Sequence, residues 1–293
     1  MKSHGTTSAV RYSISVVAVV AAATLLSACG GGSTGSDSSS GSGGGSAAVP
    51  SSSLISSGTL TFCADISAPP LTYFDKDQKA VGTEIELGDA IAKQLGLKST
   101  WQNVAFNGII PALQGRQCDA IMSQLYIKPE REKVVDFVPY MYAGNTVLVK
   151  AGNPGAVTGI ENLCGRKVAA QTGTTIVDLL DAQAKKCQAA GKPTIAVSKF
   201  GRDSEAQQQL KLGLVDAYGT TVEIAGYAIK QQPGTFETVG KPFGKIETGI
   251  ATAKSNAALN AALVKAFAAV RADGTYDAIL KNWSLTDDAL PAS

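Results

Sequence analysis

The chain has 293 residues, 44% of them hydrophobic and 17% charged, with 26 Lys and Arg against 24 Asp and Glu. That is the composition of a globular protein long enough for one large core or two lobes of ~100 residues each. A formal charge of +2 with no basic run gives nucleic-acid binding no electrostatic footing. The single histidine, His4, lies in a removable leader, so histidine-based catalytic triads and the usual zinc sites are excluded.

The leader is read first. Lys2 and Arg11 precede an apolar run over 14–26, too short to span a membrane as a mature helix and right for a signal-peptide core. It ends in Leu26-Ser27-Ala28-Cys29, which resembles a bacterial lipobox, so the expectation is a signal peptide over 1–28 and lipid on Cys29. The alternative is an ordinary signal peptide with an incidental cysteine. Gly and Ser dominate 30–46, a flexible spacer, and 29–57 is taken as the linker. Cleavage removes Lys2 and Arg11 and no acid, which brings the formal charge to zero.

Export permits disulfides between the remaining cysteines. Cys164 precedes a strand and Cys187 lies late on the helix that follows it, so a return across one βα unit pairs them. Cys63, near the end of one strand, and Cys118, at the start of its neighbour, are several residues apart along parallel strands and are expected to be reduced.

In chain order, a strand is predicted over 59–64, and the turn over 65–71 is enforced by Pro69 and Pro70. A helix follows over 84–95, with Ile85, Gly88, Ile91, Ala92 and Leu95 on one face and Gly96 at its end. A strand over 100–105 leads into a helix capped by Asn107, with Phe106 at the joint and Pro111 near the first turn.

The stretch CDAIMSQLYIKPEREKVVDFVPY, 118–140, organises the rest. Ala120, Ile121 and Met122 read as a strand buried on both faces. Ser123 lies just past its carboxyl end, where open α/β sheets bind ligands. Pro129 then opens a helix through 134, which puts Arg131 in its first turn, able to fork onto a carboxylate. Local sequence alone favours Arg131 as a solvated charge between Glu130 and Glu132 and Phe106 as core, and reads Asp65 equally as a turn cap.

The chain should cross to a second lobe over 140–146. There a strand over 167–171 ends at Gln171, and Thr174 and Thr175 start a helix whose free N–H groups point outward. A strand over 195–197, a helix from Asp203 and a strand ending at Thr221 follow. The chain recrosses near 247–251 and ends in two helices with packing stripes through Leu263 and Phe267 and through Tyr276 and Leu280.

DAIMSQLYIKPER followed by VVDFVPY resembles the signature of the polar amino-acid family of solute-binding proteins of ABC importers, roughly D-A-I-x-S-x-x-x-x-T-x-x-R and then F-S-x-P-Y, and the likeness runs from about 58 to 283. The resemblance implies a bilobal α/β, type II periplasmic-binding-protein fold: two open α/β lobes joined by two hinge strands, with the ligand cleft between them. Lobe 1 would comprise 58–144 and 249–293, and lobe 2 145–248. It implies a monomer without cofactor or metal, exported and lipid-anchored at the cell envelope, periplasmic in a Gram-negative source. Such a protein captures a small polar carboxylate-bearing solute, an amino acid or a derivative, and delivers it to an ABC-transporter permease.

By the same resemblance Asp65 meets a cationic part of the ligand, Phe106 stacks on it, and Ser123, Gln124 and Tyr126 form the strand-end wall. Arg131 holds the carboxylate, with Gln171, Thr174 and Thr175 closing from the other side. Two positions depart from the family: Thr221 stands where an acid usually meets the α-amino group, and Tyr126 where a small hydroxyl residue is common. Glu223 would point elsewhere if a helix has begun. The expected ligand therefore carries a carboxylate but need not carry a free primary α-amino group. The competing expectation is an exported enzyme on the same scaffold, such as a cyclohexadienyl-type dehydratase, with a buried acid as general acid.

Overall fold

A computed structural model describes residues 49–291, so the leader, Cys29 and most of the spacer lie outside the described residues. Strand β1 (Thr59–Ala64) is followed by a small hairpin, β2 (Tyr73–Phe74) and β3 (Ala80–Val81), absent from the sequence reading. Helix α1 (Thr83–Gln94) buries Ile85, Leu87 and Ile91. Its Gly88 lets the helix approach β4 (Lys98–Asn103) closely: a Cβ there would lie 2.6 Å from the Trp101 ring. A 3-10 turn over Phe106–Gly108 leads into α2 (Ile109–Gln114) and then β5 (Ala120–Ile121), which pairs in parallel with β1.

Helix α3 (Pro129–Glu132) is shorter than expected. Two β-branched residues, Val134 and Val135, follow, and the sheet captures Val135, fully buried, at the start of β6 (Val135–Lys150). Beyond β6 come β7 (Lys167–Gln171), α4 (Thr175–Ala189), β8 (Ala196–Phe200), α5 (Asp203–Leu212), β9 (Ala217–Thr221) and α6 (Val222–Gln231). Strand β10 (Phe236–Ala253) returns antiparallel to β6 with register shifts on the way, and α7 (Ala257–Ala272) and α8 (Thr275–Trp283) finish against α1.

The strand order β4-β1-β5-β10-β6-β9-β7-β8 places the two long strands at the centre, each running from one lobe into the other. Period-2 alternation sends Leu60 and Phe62 of β1 to the α1, α7 and α8 side and Cys63 to the α2 side. In the second lobe Val147, Val149, Val168 and Ala170 pack under α4, while Leu148, Ala169 and Tyr218 face α5 and α6. Each large apolar side chain fully buried in these layers stabilises by ~1.5–3 kcal/mol. Both faces of the sheet are therefore covered, and the strand ends are left to form the cleft.

Cys164 and Cys187 form the expected disulfide. Cys63 and Cys118, expected as free thiols, form a second one, their Cα atoms 5.6 Å apart. The expectation assumed that Cys118 extends its strand, but β5 has only two residues. Asp119 turns its carboxylate onto the Thr61 N–H at 2.8 Å and the Ile55 N–H at 2.7 Å. This bent approach puts Cys118 in the cluster of Cys63, Ile109 and Leu113 instead of farther down the strand.

Residues 49–57, the end of the expected linker, lie against the first lobe. Leu54 is buried in its core, and Asn256 Nδ2 donates to the Ser53 carbonyl at 2.8 Å. Among the described residues no helix is long and apolar enough to cross a membrane, and no cluster of His, Cys, Asp or Glu is placed to hold a metal ion.

Candidate functional site

The ends of β5, β7 and β9 and the starts of α3, α4 and α5 converge on one cavity. All ten side chains named from the sequence line it: Asp65, Phe106, Ser123, Gln124, Tyr126, Arg131, Gln171, Thr174, Thr175 and Thr221. Glu84, Asn145, Asp203 and Thr220 line it too and were missed.

At one end, Arg131 donates from Nη1 to the Tyr126 carbonyl at 3.0 Å and from Nη2 to the Gly173 carbonyl at 3.3 Å, so it already touches both lobes. Its guanidinium lies 5.7 Å from the centre of the Phe106 ring. Burial lowers its pKa, but a guanidinium stays charged. Lys128 takes the neighbouring acids, Glu130 at 2.6 Å and Asp178 at 3.1 Å, and among the described residues Arg131 has no ion-pair partner. Opposite, Thr174 caps the turn by donating from its hydroxyl to the Gln171 carbonyl at 2.6 Å. The buried Thr175 hydroxyl at the first turn of α4 has no partner among the described residues. A cation, a hydroxyl without a partner among the described residues and a helix N-terminus are groups that can together hold a carboxylate.

The middle of the cavity is built on β5. Ser123 Oγ accepts the Asp65 N–H at 3.0 Å. Gln124 donates its N–H to Glu84 Oε1 at 2.7 Å and its side-chain amide to Glu223 Oε2 at 2.9 Å. The Tyr140 hydroxyl also donates to Glu84 Oε1. Glu84 is 0% exposed, and its second oxygen, Oε2, has no partner although the residue lines the cavity. Burial pushes its carboxyl up to about 7. The Tyr126 hydroxyl donates to Asn145 Oδ1 at 3.4 Å. Burial raises the pKa of that hydroxyl, which keeps it neutral. Thr221 ends β9 at the N-cap position of α6, its buried hydroxyl without a partner among the described residues, and Glu223, in the first turn of that helix, faces Gln124 and the Gly144 N–H instead of the cavity.

At the far end Asp65, 2% exposed, is saturated. Its Oδ1 accepts from Ser67 Oγ at 2.6 Å and Arg202 Nη1 at 3.0 Å. Its Oδ2 accepts from the Phe106 N–H at 3.0 Å and Gln171 Nε2 at 2.6 Å. Asp203 opens α5 beside it, bonded to the Tyr218 hydroxyl, with its carboxyl pushed by burial up to about 7. Arg202 and Asp203 lie just past the end of β8, beside Gln171 at the end of β7; the strand-end position is the signal that could have found them.

Residues 60–286 match the model of a protein family, the bacterial extracellular solute-binding proteins, family 3. The chain belongs to this family. It is 29% identical to the L-cystine-binding protein TcyJ of Escherichia coli K12, over 77% of this chain and 82% of that protein. It is 30% identical to the putative ABC transporter arginine-binding protein 2 of the same strain, over 79% and 93%. An ancestral arginine-binding protein bound to arginine superposes with a TM-score of 0.71 at 39% identity, over 77% of this chain and 98% of that one. This solute-binding protein therefore has the bilobal type II fold, and its work is to capture a solute outside the cytoplasm for an ABC importer. It is a binding protein and not an enzyme, which sets aside the dehydratase alternative.

Proposed function

We propose that the solute is an amino acid or amino-acid derivative held by its carboxylate between Arg131 on one lobe and Thr174, Thr175 and the start of α4 on the other. The observation that supports this most is the pairing of an arginine that has no carboxylate partner with the unpartnered Thr175 hydroxyl facing the same cavity. Both groups are desolvated by closure, and a carboxylate satisfies both at once. With Thr221 in place of an acid and Tyr126 turned to Asn145, a free primary α-amino group is not required; Glu84 Oε2 and the Thr220 and Thr221 hydroxyls, without partners among the described residues, are the acceptors that remain for whatever nitrogen the ligand carries.

In this reading lobe 1 is 58–144 with 249–293, lobe 2 is 145–248, and the protein works as a monomer that closes by hinge motion on β6 and β10. Cys29 carries the lipid that anchors the protein at the cell envelope. Titration calorimetry with L-amino acids, betaines and opines tests the ligand class. Binding of at least one carboxylate-bearing member is expected, lost in Arg131→Ala; tight binding that survives that substitution would refute the clamp. Cys29→Ser should move the protein from the membrane to the soluble fraction.

A further inference from the structure

We infer that Arg202 is a resident occupant of the cleft's acidic end: its guanidinium takes the Asp65 carboxylate that would otherwise receive a cationic side chain, so the protein selects ligands whose distal group is uncharged. The inference rests on the carboxylate clamp proposed above, which sets which end of the ligand reaches Asp65.

A carboxylate has about four acceptor sites, and all four on Asp65 are used, two by donors from its own lobe and two by Gln171 and Arg202 from the other. Arg202 is held in place from three sides. The same Nη1 donates to Asn103 Oδ1 at 2.7 Å, its backbone N–H is taken by Glu205 Oε2 at 3.1 Å, and the next N–H, of Asp203, donates to Ser67 Oγ at 3.0 Å. Its side chain is 29% exposed against 2% for Asp65, so the guanidinium plugs the rim while the acid stays inside. A second guanidinium or ammonium at this end would find no free acceptor on Asp65 and would sit beside a like charge. Ala68, Leu71 and Ile224 with the Thr72 hydroxyl line the neighbouring wall, a surface for a small apolar, hydroxyl or amide group.

Citrulline and arginine separate the effects, because they share shape and differ in charge. Calorimetry with the wild-type full-length protein should show citrulline bound about 10-fold or more tighter than arginine. Arg202→Ala should reverse the preference by opening Asp65 to the ligand, and Arg202→Lys, which keeps the charge, should retain it. Asp65→Asn in the Arg202→Ala background should remove the gained arginine affinity. Each variant is checked by its melting curve, and Arg202→Gln serves if the alanine variant does not fold. Wild-type protein that binds arginine as tightly as citrulline overturns this inference alone, as does an arginine-to-citrulline ratio unchanged by Arg202→Ala. Failure of the wild type to bind any carboxylate-bearing member of the amino-acid, betaine and opine panel overturns the clamp reading as well.

Discussion

The two ends of the cleft each bury a charge and treat it oppositely. At one end Arg131 spends two N–H groups on neutral carbonyls while Lys128 draws off Glu130 and Asp178, so its charge stays unbalanced. At the other, Asp65 is balanced by Arg202 and saturated by three neutral donors. A desolvated charge that the protein leaves uncompensated is where binding free energy from an opposite charge is available; a compensated one contributes to shape and closure.

The largest test of that contrast is Arg131→Ala. It should weaken ligand binding by ~100-fold or more in calorimetry, since truncating one partner of a desolvated charge pair costs about 2–5 kcal/mol. Arg131→Lys, which lacks the fork, should recover only part of the loss.

Next comes the frame that holds both ends. Cys63 lies two residues before Asp65, and its bond to Cys118 ties β1 to the approach of β5, which carries Ser123 and Gln124. Replacing both cysteines by serine should cost about 2–5 kcal/mol in denaturant unfolding. Peptide mapping without reduction should show the Cys63–Cys118 link, and free thiols there would refute it.

A comparable or smaller effect concerns the acids that no cation balances. Burial raises Glu84 from an ordinary 4.5, and Asp203 from 3.8, each to about 7. Between the unfolded and folded values the native protein keeps protons that the unfolded chain has released. Stability from these two groups is therefore highest in mild acid, falls as pH rises towards 7 and levels off above it, by ~3–4 kcal/mol for each. Melting curves from pH 5 to 8 should show the decline, and Glu84→Gln or Asp203→Asn should each flatten it. An unchanged slope in both variants would locate the protons elsewhere.

The smallest change is at Lys128. Its alanine variant frees Glu130 and Asp178 to compete for Arg131, and ligand affinity should fall by only a few-fold, most at low salt, because both acids are largely exposed.

Local pattern made most of the frame readable. Strands 59–64 and 167–171 appear where alternation and propensity put them, and the ten side chains that the family resemblance singled out reach one cavity. Long-range pairing was not legible. Arg202 meets Asp65 across 137 positions, and nothing around either residue records the other. Glu84 looks like any acid in a first helical turn until Tyr140 and Gln124 close over it. The Cys63–Cys118 bond was missed because a two-residue strand and a bend cannot be told from a longer strand by composition. Helix α3 was overextended because Lys133 and Val134 permit a helix, while the sheet's claim on Val135 is tertiary.

The Asp119 carboxylate, gripping the N–H groups of Ile55 and Thr61, has a mechanical consequence. It works as a strain relief, like the collar on a cable. A pull applied to the chain ahead of residue 49 is shared among this clip, the buried Leu54 and the bond from Asn256 to the Ser53 carbonyl before it reaches the first strand.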